Sequence, residues 1–278
     1  LITYGIRILN VTYDSWIMSL PDPDIRQHYL GFCSYIKSAW QFPAGMTDAL
    51  SYPFSMSIVW TDSIPVLCIF FKLIRGILPE TFQFFGWFGL ISFSLMGGFS
   101  ALLIKRLTGS HLISIMSVPF FVLAFPVLQR MYYHTSLASQ WLIVLALLIW
   151  LDDGAYRSLR SRCIIWGISG LGCVLIHSYF LPMVGIIILA ECLECQIHTH
   201  RLSSFVPLLS YCISAIFMLW FLGAFASNVN SSDYAIGGFN ANLNTFFNSL
   251  GDGILPALSM KYGTQYEGFG YLGLGMLL

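Results

Sequence analysis

The sequence predicts an all-α polytopic membrane protein: a helix bundle with a long outer first loop that carries interfacial helices. Three observations predict it. Of 278 residues 57% are hydrophobic and only 9% charged, where a soluble domain carries roughly 25% charged residues. Apolar runs of spanning length recur from Phe82 onward. Lys and Arg gather in every second connection between those runs. A single water-soluble core cannot hide so much apolar surface, so lipid must cover part of it. The net charge is zero, which gives no sign of a nucleic-acid partner. The 7 cysteines sit mostly inside apolar runs and suit small core residues better than a disulfide framework.

Residues 1–81 form the first outer segment, with Pro21, Pro23, Pro43, Pro53 and Pro65 along it. Asp22 followed by Pro23 is a helix start, a capping acid and then proline in the first turn. From there Ile25, Tyr29, Phe32, Ile36 and Trp40 recur at helical spacing. Such a stripe suits a helix lying along a membrane surface, over residues 23–40. Asp24 and His28, four apart, share one side of that helix. A carboxylate and an imidazole held at the lipid boundary could act on a lipid-linked head group. Asp22 and Asp24 equally suit the plain role of capping the helix and offsetting its dipole. Asp62, in Trp60-Thr61-Asp62-Ser63-Ile64-Pro65, opens a second short apolar stretch closed by Lys72 and Arg75. We expect a second interfacial helix there, with Asp62 either its N-cap or a second carboxylate for a metal or an acceptor.

Residues 82–225 form a bundle of about six spans. Phe82–Ile104 has no charge, and Leu112–Leu128 carries Pro119 and Pro126, which should kink it. Leu137–Leu151 is short, and Cys163–Cys195 is too long for one span. The latter breaks at His177-Ser178-Tyr179 and Pro182, and Phe205–Phe225 is the next span. Lys105 and Arg106, then Arg157, Arg160 and Arg162, then Arg201 fall on one side, the cytoplasmic one. Residues 1–81, the turn 130–136, His177 and the Gly/Asn-rich loop 226–267 then share the outer face. The run 268–278 reads as the start of a further span. The chain begins at Leu1 and stops inside an apolar run, so we read it as a fragment with spans to be expected on either side.

On the outer face, Arg130 and His134 lie in one turn. Arginine suits phosphate, because its planar fork binds oxygens bidentately, and it equally suits snorkelling at an interface. His177 is either a packing histidine or a site residue. The cluster Cys192, Cys195, His198 and His200 has metal-ligand residue types, but its second pair follows too closely, and we assign no metal to it. No Walker motif, nucleophile elbow or zinc-protease helix occurs.

The stretches Asp24-Ile-Arg-Gln-His28-Tyr-Leu-Gly31, Trp60-Thr-Asp62-Ser-Ile-Pro65 and Phe82-Gln-Phe-Phe-Gly86 resemble an uncharacterised family of bacterial polytopic membrane proteins. Arg130…His134…Gln140-Trp141, Leu175-Ile-His177 and Gln265-Tyr-Glu267-Gly268 fit the same pattern, in order over nearly the whole chain. That family is itself similar to the class-C glycosyltransferases, multi-span enzymes with a catalytic acid in a long first outer loop. The resemblance implies a sugar transferred from a polyprenyl-phosphate donor, with inversion, to a glycan, lipid or protein acceptor. It implies a multi-pass protein of the bacterial inner (cytoplasmic) membrane, in the cell envelope. It puts Asp24 in the place of the acid, with Asp22 close enough to be the true one, and Arg130 at the lipid phosphate; we take Asp24, Asp22 and His28 as candidate catalytic residues and Asp62, Arg130, His134, His177 and Glu267 as candidate substrate-binding residues. It leaves the cofactor open, a divalent cation included. The alternatives are a transporter or flippase of lipid-linked material, which needs ionisable groups inside the spans, and a non-catalytic assembly subunit.

Overall fold

A computed structural model describes residues 5–20, 23–152, 157–226 and 245–248. The described chain is mostly helical. Short helices α1 (Ser15–Ser19) and α2 (Pro23–Lys37) come first. An antiparallel hairpin follows, β1 (Met46–Ser51) and β2 (Phe54–Ser57), with Met46 opposite Ser57. A 3-10 turn at Ile58–Thr61 leads to α3 (Pro65–Leu73). The long helices are α4 (Phe85–Thr108), α5 (His111–Val122), α6 (Phe125–Tyr133), α7 (Trp141–Leu151), α8 (Leu159–Ile176), α9 (Phe180–Thr199) and α10 (Val206–Phe221). Residues 229–278 make a separate unit, described only at 245–248, where Thr245–Phe247 form a 3-10 turn.

Among the described residues four helical stretches are long and apolar enough to cross a membrane: α4, α8, α9 and Leu202–Phe221. At 1.5 Å per residue, α4 is about 36 Å long, more than the ~30 Å hydrocarbon core. The stretches His111–Val122 and Thr135–Leu151 are apolar but shorter. Proline shapes the region after α4. Pro119 lies inside α5, and Pro126 stands in the first turn of α6, where its missing N–H does no harm. The expected kinked span Leu112–Leu128 is therefore two helices. Leu112, Ile115, Phe120, Ile168, Ile186 and Ile213 all point out of the protein, as lipid-facing side chains do. Helices α8 and α10 pack closely because Gly170 has no side chain: a Cβ there would lie 2.6 Å from the Tyr211 carbonyl oxygen.

The stripe on α2 exists but meets protein, which corrects the expected lipid contact. Ile25, Tyr29, Phe32 and Ile36 are buried in one core with Ile17, Ile58, Ile64, Cys68 and Phe82–Phe85. The Phe32 ring stands edge-on to Phe84 at 4.9 Å. Trp40 lies beyond the end of the helix and is exposed. Two further corrections concern the second short helix. Its N-cap is Ile64, not Asp62, and Asp62 instead ends the preceding 3-10 turn. Lys72 is buried: its Nζ lies 3.8 Å from the Tyr35 ring centroid and bonds Ser38 Oγ and the Ala39 carbonyl.

The hairpin, absent from the sequence reading, docks on the end of α10. Ala44 N–H donates to the Phe221 carbonyl, Ser57 Oγ to that of Leu222, and Trp60 Nε1 to that of Ala224. Residues 44–60 thus close off carbonyls that a helix terminus leaves unpaired. Gln83, fully buried, anchors the other flank by donating to the Ile8 and Asn10 carbonyls.

The apolar helices also hold a complete ion pair, although the mapped spans looked nearly free of charge. Arg162 Nε lies 2.6 Å from Glu191 Oε1, and both are buried. Trp166 Nε1 donates to the other carboxylate oxygen. Cys195 and Cys192 sulfurs lie 3.3 and 3.9 Å from the guanidinium, so this cysteine pair serves the arginine.

Candidate functional site

Five ionisable side chains meet where α2, the Ile58–Thr61 turn, α6 and α8 come together. Asp24 and His28 stand one turn apart on α2. His28 is fully buried, and its carbonyl accepts from Ser63 Oγ at 2.6 Å. That bond is part of a clamp between α2 and the segment 61–63. Gly31 makes it: a Cβ at this position would lie 2.6 Å from Thr61 Cβ and 2.7 Å from Ser63 Oγ. Asp62 and Ile64 both adopt left-handed backbone, φ 53° and 60°, and the double turn aims Asp62 at His28. Asp62 Oδ2 lies 3.8 Å from His28 Nε2.

The other two histidines end helices. His134 caps α6 through a bond from its N–H to the Arg130 carbonyl, and His177 caps α8 in the same way on Cys173. His177 Nδ1 accepts from Tyr179 N–H at 3.1 Å, at the start of α9. That bond assigns the proton to Nε2, which stands 3.0 Å from Asp62 Oδ1. His134 Nε2 lies 2.8 Å from Asp24 Oδ2, and its ring tilts against that of His28 with centroids 4.7 Å apart. Asp24 and Asp62 therefore each hold one histidine, and His28 lies between them.

Exposure grades across the cluster. The Asp24 side chain is 44% exposed, Asp62 27%, His134 18% and His177 2%. Burial drives the His28 pKa down to about 3, helped by the neighbouring His134. It is neutral at physiological pH. Burial pushes the Asp62 carboxyl up, but the approach of His177, and then the electrostatic influence of the surrounding imidazoles, outweighs it and holds the carboxyl below its usual range. The site thus combines an ionised carboxylate, a neutral imidazole and a more open Asp–His pair.

Of the residues singled out in the sequence, Asp24, His28, Asp62, His134 and His177 come together. Asp24 and His28 stand one turn apart on α2, and the near neighbours of both, His134 and Asp62, lie on other elements. Arg130 stands one turn before His134 on α6, half-buried. No described residue pairs with its guanidinium. Asp22 and Glu267 lie outside the described residues. Sequence reading gave no role to Gly31 and Ser63, which clamp the Asp62 segment, although both lie in the stretches that carry the family resemblance.

Over residues 1–278 the chain matches a family described as a domain of unknown function (DUF6311), and it belongs to that family. No curated protein and no solved structure matches it.

Proposed function

We propose that this membrane protein is a glycosyltransferase that takes a sugar from a polyprenyl-phosphate donor at the bundle end carrying the histidine–aspartate cluster. We place that end at the outer face of a bacterial cytoplasmic membrane. The observation that carries the reading is the convergence of Asp24, His28, Asp62, His134 and His177 at one end of an apolar bundle, where a lipid-linked head group would sit. The sequence resemblance to class-C glycosyltransferases supplies the substrate class.

Asp24 is the base in this reading. It is the most exposed acid of the cluster, so an acceptor can reach it, and His134 fixes its orientation. It takes the proton from an acceptor hydroxyl, the acceptor oxygen bonds to the anomeric carbon, and the bond from that carbon to the phosphate oxygen breaks. The polyprenyl phosphate leaves with the electron pair. Arg130 meets its charge with a guanidinium that no described residue occupies. The transporter reading has less to stand on, since the buried charges Arg162 and Glu191 bind each other.

Lipid extracts of cells lacking the gene test the proposal. A polyprenyl-phosphate sugar should accumulate, and the wild-type gene should clear it. Asp24→Asn should not clear it, although asparagine caps a helix about as well as aspartate. Arg130→Lys should clear it at least ~10-fold more slowly, because a point charge does not replace the bidentate fork. No accumulation, or full clearance by Asp24→Asn, would overturn the assignment.

A further inference from the structure

We propose that His28, His134 and Asp62 bind one divalent transition-metal ion, with Asp24 and His177 as the outer groups that aim the ligands. The inference does not depend on the transferase reading.

Three observations carry it. First, the candidate ligand atoms of His28, Asp62 and His134 all lie within 4.8 Å of one another. Second, His28 is fully buried, and both of its ring nitrogens lack a hydrogen-bond partner. A buried polar atom left unpaired costs about 1–3 kcal/mol, and one ion would take up one of these two nitrogens. Nδ1 of His134 is likewise buried and unpaired. Third, each remaining ligand has the partner that metal ligands have. Asp24 takes Nε2 of His134 at 2.8 Å, which leaves Nδ1 as the lone-pair nitrogen. Carboxylate–histidine pairs of this kind fix the tautomer and raise the basicity of ligating histidines. His177 Nε2 approaches Oδ1 of Asp62 to 3.0 Å, although not in hydrogen-bond alignment, and Oδ2 is the oxygen near His28.

Distance and charge fit the ion. Ligands at 2.0–2.2 Å around a tetrahedral Zn²⁺ stand about 3.4 Å apart. His28 Nε2 and Asp62 Oδ2, now 3.8 Å apart, need to close by only a few tenths of an ångström. The widest pair needs about 1.4 Å, which side-chain rotation at the partly exposed His134 supplies. Two imidazoles and one carboxylate favour Zn²⁺, Fe²⁺, Co²⁺ or Mn²⁺ over Mg²⁺ and Ca²⁺, which prefer all-oxygen shells. Three protein ligands leave a coordination position open to water or substrate, as in catalytic sites.

The test uses the full chain in detergent micelles, purified on a tag without histidine and stripped with chelator. Equilibrium dialysis against micromolar Zn²⁺ or Co²⁺ should load one ion per chain, and the Co²⁺ form should show the visible bands of nitrogen–oxygen ligation. Millimolar Mg²⁺ should not displace it. His134→Ala should abolish loading. Asp24→Asn should weaken it about 10–100-fold, as loss of an outer partner does, while the metal-free protein unfolds at an unchanged temperature. The Asp24→Asn arm decides the matter if His134→Ala fails to fold. Substoichiometric loading of the wild type, or loading unchanged in Asp24→Asn, would overturn the proposal. Failure of sugar transfer would leave it standing, because the probe is the metal itself.

Discussion

Replacing Glu191 by glutamine leaves the Arg162 guanidinium buried without a counter-ion. Its remaining contacts are weak: the sulfurs of Cys195 and Cys192 at 3.3 and 3.9 Å and the Ser204 carbonyl at 3.5 Å. Two unit charges about 3–4 Å apart interact by roughly 4–5 kcal/mol at an effective dielectric constant of 20. Removing one partner of a buried pair costs about 3–5 kcal/mol in measured cases, so the two routes agree. At roughly 2–4 °C per kcal/mol for a chain of this order of size, Glu191→Gln should lower the unfolding midpoint by about 10 °C. The double variant Arg162→Met/Glu191→Gln removes both charges and keeps an oxygen for the Trp166 N–H. It should return to within about 3 °C of the wild type, since apolar replacement of a whole buried pair is close to neutral. The assay is thermal unfolding in micelles, followed by a thiol-reactive dye that reports exposure of the buried Cys68 and Cys173. A single variant less than about 3 °C below wild type, or a double variant as low as the single, refutes the reasoning.

Gly31→Ala should push the segment Thr61–Ser63 off α2, because the new methyl group would overlap Thr61 Cβ. We expect a loss of about 1–3 kcal/mol from overpacking, measured by the same unfolding assay, together with weaker Zn²⁺ loading as Asp62 leaves His28. Lys72 gives a pH dependence: burial, then the nearby Arg75, lowers its pKa from 10.5 to about 8. The unfolded chain therefore holds more protons than the folded one between those values, so stability should rise from about pH 8 to 10.5. Lys72→Met, which keeps an unbranched chain against Tyr35, should flatten that rise in unfolding midpoints recorded across the window.

Hydropathy made the long helices legible, and chemistry made their breaks legible. The join of α8 and α9 falls at His177, and the division after α5 lies just before Pro126, a residue suited to a helix's first turn. The α2 stripe was legible as a stripe but not as to its neighbour. An apolar face satisfied by lipid and one satisfied by Phe82–Phe85 have the same spacing. The hairpin was hidden for another reason: Met46–Ser51 does not alternate and has one β-branched residue, Thr47, and the alternation of Phe54–Ser57 runs over only four residues. Its register depends on a partner, the end of α10, that lies far along the chain. The site shows the same division. Asp24, His28, Asp62, His134 and His177 could be named one by one from residue type and place. Their pairing could not, because helical spacing only puts Asp24 and His28 on one side, whereas the folded chain brings His134 to Asp24 and His177 to Asp62 from distant parts of the sequence.

The docking of the hairpin on α10 sets a timetable for biogenesis. Ser57 must wait for the Leu222 carbonyl, 165 residues later in the chain. At ~5–20 residues per second of synthesis, that is a wait of roughly 8–33 s. During it, helices α4 to α9 are being made while the hairpin stays undocked from α10. His177, too, is made long after Asp62, so the carboxylate remains without its histidine for much of that interval. The first 81 residues therefore need either a shielding chaperone or enough local order from the α2–α3 core to hold their shape. Pulse-labelled nascent chains arrested before and after residue 224 would separate the two.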